Sequence, residues 1–148
     1  MPDLQPVVIY ERNIDWNEIT MVVEAWILSL DPRFDYLRPS MYRHAGAFMF
    51  TFEATELRAK ATEQLAYLDP FIGEIESMDP GEGRAPRLLV ATWMDPTLSR
   101  VPCTSAKHVQ EWMAHHGIDA CVEIDMNGKD TLASSVENAM MTAIRLAV

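Results

Sequence analysis

His108, Glu111 and His115 are the residues of this chain best suited by type and spacing to hold a metal ion. On a helix, positions i, i+3 and i+7 fall within an arc of about 60°, so two imidazoles and one carboxylate would project from the same side. His116 and Asp119 follow closely. The spacing matches neither the HExxH nor the HxxEH order of zinc enzymes. Val109, Trp112 and Met113 mark the core stripe of the same helix, which leaves the triplet on the flank, where solvated side chains normally sit. An ordinary solvated face is the favoured reading, and a small metal-dependent enzyme is its alternative. His116 falls on the core stripe and is expected to be a satisfied, half-buried histidine.

Three other groupings invite chemistry. Cys103 precedes a helix start, a position that can lower a thiol pKa, and His108 lies a turn further on; a small, partly buried cysteine is nevertheless the better reading without a nucleophile signature. Glu123 and Asp125 would sit about 6–7 Å apart on one strand face, a separation at which paired carboxylates can act as acid and base. No apolar neighbours in sequence raise either pKa, so a partner-facing or solvated strand face is favoured. Gly81-Glu-Gly-Arg84 lacks the GxxxxGK[ST] of a P-loop and the GxGxxG of a dinucleotide loop, and Glu82 would repel a phosphate. It reads as a turn. No cofactor is called for.

The charge pattern is more specific. The 148 residues carry 22 Asp and Glu against 12 Lys and Arg, a net charge of −10. Nucleic-acid phosphates and anionic membrane surfaces are disfavoured as partners, whereas a basic protein would be steered in. Asp119, Glu123 and Asp125 form one acidic cluster, and Asp69, Glu74, Glu76, Asp79 and Glu82, in a segment without Lys or Arg, form a second; all of them but Asp69 are the candidate partner-binding residues. Cys103 and Cys121 show no CxxC spacing, the opening Met-Pro-Asp-Leu-Gln-Pro lacks the features of a secretory signal, and no apolar run approaches membrane length. A cytoplasmic protein with reduced thiols is therefore expected.

The elements that would position these groups can be read in turn. Residues 6–12 form a β-branched strand. Asp15 and Glu18 fit a capping box, and Trp16, Ile19, Val22, Val23, Trp26, Ile27 and Leu30 make a helical stripe ending at Asp31-Pro32. Residues 31–44 are an irregular basic island with Arg33, Arg38, Arg43 and His44. Residues 45–53 read as a strand apolar on both faces and hence central. A helix over 54–68 carries a Leu57–Ala61–Leu65–Leu68 stripe and stops at Asp69-Pro70. Residues 71–78 are ambiguous and could be a strand, paired as a hairpin with a buried strand over 87–94 across a turn-rich loop at 79–86. Thr104 or Ser105 caps a helix to His116. Residues 119–126 alternate: Ala120, Val122, Ile124 and Met126 face a core, while Asp119, Cys121, Glu123 and Asp125 face outward. A turn at Asn127-Gly128 leads into a last helix over 130–148, with Leu132, Val136, Ala139, Met140 and Ala143 inward. Its Met141, Leu146 and Val148 lie off that stripe and would suit a homo-oligomer.

The order βαβα(β)βαβα implies a single α/β (or α+β) domain over 1–148, with a mixed sheet and helices mainly on one face. The function expected is that of a small acidic protein-binding or inhibitor module. Its most concrete form is an immunity protein neutralising a basic toxin such as a nuclease. A metal-dependent enzyme built on the His/Glu helix face and a self-assembling structural subunit are the alternatives.

Overall fold

The computed structural model describes residues 5–54, 58–78, 84–93, 97, 99, 106–127 and 129–147, with 58–60 and 129–136 described for backbone only. The content is mixed α/β, as the strand and helix patterning implies, and the chain divides into two compact units, Met1–His44 and Ala45–Val148.

The first unit overturns the reading of its second element. β1 (Val7–Trp16) pairs antiparallel with β2 (Ile19–Leu28), in register from Val7 opposite Leu28 to Trp16 opposite Ile19. No helix follows Asp15. Ile19, Thr20, Val22, Val23 and Ile27 are β-branched and stiff at χ1, so they favour a pleated strand over the helix that their spacing also permits. The two residues between the strands, Asn17 (φ 47°) and Glu18 (φ 67°), both lie in the left-handed region, the signature of a tight hairpin turn. Asp15, in place of capping a helix, accepts from the Thr20 hydroxyl across the turn at 2.9 Å. Asn tolerates the left-handed conformation and Glu does not. Glu18→Gly is therefore expected to stabilise this unit by about 1 kcal/mol, read as a higher urea midpoint with unchanged m-value; a lower midpoint would contradict the turn geometry.

The basic island of 31–44 is ordered and largely neutralised from within. A 3₁₀ turn (Pro32–Phe34) starts at Asp31, whose carboxylate caps the Arg33 backbone N–H. The hydrogen bonds from Arg33 hold the Asp31 carboxyl below its ordinary range, and Asp31 in turn raises the Arg33 guanidinium. Arg38, at the start of α1 (Arg38–Tyr42), is buried, ion-paired with Asp35 and hydrogen-bonded to the Ser29 carbonyl.

In the second unit β3 (Phe48–Glu53), β4 (Arg87–Trp93) and β5 (Ala120–Asp125) form a parallel sheet in the order β3-β4-β5. The sheets are thus two, one antiparallel and one parallel, rather than one mixed sheet. β4 is central, and Arg87 to Ala91 are all buried. β3, whose two apolar faces imply a central place, is instead an edge. Phe50 and Phe52 are buried on one side, but α4 (Lys129–Ala147) packs mainly on β5 and then on β4, and Met49 is 43% exposed on the other. β5 is the opposite edge. Its Ala120, Val122 and Ile124 join Leu88, Val90, Ala139 and Ala143 in a core under α4.

α2 (Arg58–Met78) runs on through Asp69-Pro70, so residues 71–78 are helix and the stop and hairpin readings are both corrected. The buried positions Ala61, Leu65, Leu68, Ile72 and Ile75 keep helical spacing across the proline, and their common burial outweighs the lost backbone bond. Pro70 and Ala66, whose carbonyl loses its donor, both face solvent, where water can take the donor's place. α3 (Lys107–His116) ends at Gly117 in the left-handed conformation (φ 63°), with Ile118 N–H bonded to the Met113 carbonyl.

Candidate functional site

Each strand of the parallel sheet begins at the edge where α2 and α3 end, and Arg87, Glu76, Asp119 and the His116 carbonyl meet there. Arg87 opens β4 and is 2% exposed. Its side chain lies on the same sheet face as Leu89 and Ala91, beneath α2 and α3. One guanidinium nitrogen donates to Glu76 Oε1 at 2.9 Å on α2 and to the His116 carbonyl at 2.8 Å on α3. Its backbone N–H donates to Asp119 Oδ2 at 2.8 Å, ahead of β5. One residue thereby ties four chain segments. Its Nε is buried without a hydrogen-bond partner.

A second knot sits alongside. Asp69 Oδ1 accepts from Trp112 Nε1 at 2.9 Å and lies 3.0 Å from His116 Nε2, linking α2 to α3. The His116 ring packs on Trp112 at 4.7 Å and on His115 at 4.8 Å between centroids. His116 is mostly buried and partnered, as its place on the core stripe implies. An Asp–His pair can support base chemistry, but this one lies at the edge where the strands begin. Ligands in open parallel α/β sheets bind at the edge where the strands end. A clasp between two helices is what the geometry supports.

The anticipated residues are only partly brought together. His108 is half-buried, with Nε2 lacking a hydrogen-bond partner; Glu111 is exposed and 3.7 Å from Lys107; His115 meets the His116 ring edge-on. Among the described residues no group of three His, Cys, Asp or Glu side chains could hold a metal ion. Cys103 lies outside the described residues. Cys121 is disulfide-bonded, which corrects the expectation of reduced thiols.

Of the acidic residues, Asp79 and Glu82 lie outside the described residues. Glu76 and Asp119 do converge, both on Arg87. Glu74 is half-buried on α2. Glu123 and Asp125 share a strand face, as the alternation implies, but that face turns toward the α2–α3 layer and both are half-buried rather than standing free in water. Asp125 Oδ1 accepts from the Asn127 backbone N–H and side-chain amide, closing the turn after β5.

Sequence reasoning misses Arg87, and it places Asp69 only in an acidic cluster and at a helix stop, not against Trp112 and His116. Arg87 enters it only as the first residue of a strand, although a charged residue beside an apolar run needs a partner, and that is the available signal. Among the described residues no helix is long and apolar enough to cross a membrane. Compared with known protein-family models the chain matches none, and no curated protein matches it.

Proposed function

We propose that this chain is a binding module for a basic protein partner, in its most concrete form an inhibitor of a cationic toxin such as a nuclease. The observation that carries this reading is the uncompensated excess of carboxylates. The net charge is −10, and Arg33, Arg38, Arg87 and Lys107 each already have a carboxylate of their own. Each such pair is neutral, so the excess remains for a partner. The disulfide at Cys121 favours an oxidising compartment over the cytoplasm that the sequence alone suggests.

The test is association with basic nucleases of pI above about 9, measured by calorimetry across ionic strength. Affinity should fall at least about tenfold between roughly 0.05 and 0.2 M salt, as the Debye length shortens through about 10 Å. The same chain should inhibit the nuclease it binds. No association with any basic nuclease at low salt, or an affinity indifferent to salt, overturns the reading.

A further inference from the structure

We infer that the docking surface is one face of the β1–β2 hairpin, and that it takes a partner segment in which cationic side chains alternate with apolar ones. The inference rests on the reading of a basic protein partner and names where that partner sits.

The register sorts the ribbon into two faces, both with exposed apolar residues (Val8, Tyr10, Ile19 and Ile27 on the other), and the paired glutamates select one. Val7 with Leu28, Ile9 with Trp26, Glu11 with Glu24, Asn13 with Val22, and Asp15 with Thr20 lie side by side on one surface of the ribbon. Ile9 is 50% exposed, Trp26 43% and Val22 61%. Single exposed apolar residues are normal, but a contiguous exposed patch marks an interaction site. At its centre Glu11 stands directly opposite Glu24, with nothing but apolar and neutral side chains on either side until Asp15. Like charges at opposed positions destabilise a strand pair. Among the described residues neither glutamate has an ion-pair partner, and Arg12 projects from the other face. Trp26 Nε1 donates to Glu24 Oε2 at 3.0 Å, which fixes that carboxylate beside the exposed indole.

Charge decides the occupant. A second copy docking by the same face would bring four glutamates together, so self-pairing is opposed. A lysine or arginine set between the two carboxylates would relieve their repulsion, while its apolar neighbours cover Trp26, Ile9 and Val22. The strands are each 10 residues long, enough for several alternations of such a segment.

The test uses the full chain and three labelled synthetic peptides of about ten residues: alternating Lys/Val, alternating Lys/Ser and alternating Glu/Val, each titrated by fluorescence anisotropy at low salt. The Lys/Val peptide should bind at least about tenfold more tightly than the other two. Glu11→Gln with Glu24→Gln should weaken it about tenfold while leaving the hairpin at least as resistant to urea, because the opposed charges are gone. Val22→Thr, a strand-compatible change, should also weaken it. The combined change Glu63→Gln and Glu137→Gln, at two exposed carboxylates of the second unit, should leave peptide affinity unaltered. If that last variant loses the peptide and the hairpin variants keep it, the hairpin assignment falls and the basic-partner reading stands. Equal binding of Lys/Ser and Lys/Val removes the apolar part and overturns the inference. A dimer in sedimentation that Val22→Thr dissolves overturns it too, since the occupant is then a second copy. If no basic nuclease binds the unaltered chain, the underlying reading fails as well.

Discussion

Replacing Arg87 with alanine should lower the stability of the second unit by about 3 kcal/mol, with a fall in melting midpoint of more than about 10 °C. Three effects add. A large side chain at 2% exposure leaves a cavity between β4, α2 and α3. The His116 carbonyl loses its charged donor at a part-buried position, which costs more than the same loss at the surface. Glu76 loses its partner too, but at 53% side-chain exposure it turns to water at small cost. Arg87→Met separates volume from charge. It keeps most of the stem, removes the unpartnered Nε and leaves no buried cation, so it should cost less than half as much as alanine. Urea unfolding followed by tryptophan fluorescence measures both. Equal losses for Met and Ala would mean the charge itself holds the clasp, and a loss under about 1 kcal/mol for Ala would remove the clasp from the account.

What can be read from residues alone divides along a physical line. Where one periodicity stands alone, pattern and structure agree in the main: the alternation of 119–126 places Val122 and Ile124 under α4, although Met126, expected in the core, is 39% exposed, and the strand expected over 87–94 is the buried central strand Arg87–Trp93. Where two periodicities fit the same residues, local chemistry misleads. Trp16 to Leu30 satisfies a helical stripe, and Asp15 with Glu18 satisfies a capping box, yet the β-branched content and the pairing with Val7–Trp16 decide for a strand. At Asp69-Pro70 the error runs the other way. A punctuation rule takes precedence there over a stripe that continues in Ile72 and Ile75. The clasp is hidden for a different reason. Arg87 meets Glu76 and His116 across sequence separations of 11 and 29, and neither partner lies near enough in sequence to suggest the contact. Glu76 and Asp119 stand out for their charge, but part of that charge serves the fold, a distinction that side-chain type cannot express.

Pro70→Ala, by contrast, should raise stability, by about 2 kcal/mol. Pro70 lies inside a 21-residue helix, lacks the N–H that would bond the Ala66 carbonyl, and is solvent-facing, so alanine restores a backbone bond without changing the buried stripe. The gain stays below the full interior proline penalty because Ala66 is exposed, where water can take the missing donor's place. The contrary possibility is that the proline-bearing turn is what seats the adjacent Asp69 against Trp112 and His116. The two are separated by a double-mutant cycle. Asp69→Asn should cost the same in the unaltered chain and in the Pro70→Ala variant if the clasp is indifferent to the bend, and the Trp112 emission should be unmoved by Pro70→Ala. A destabilised Pro70→Ala variant in which Asp69→Asn costs nothing further would show that the helix keeps its proline to aim one carboxylate.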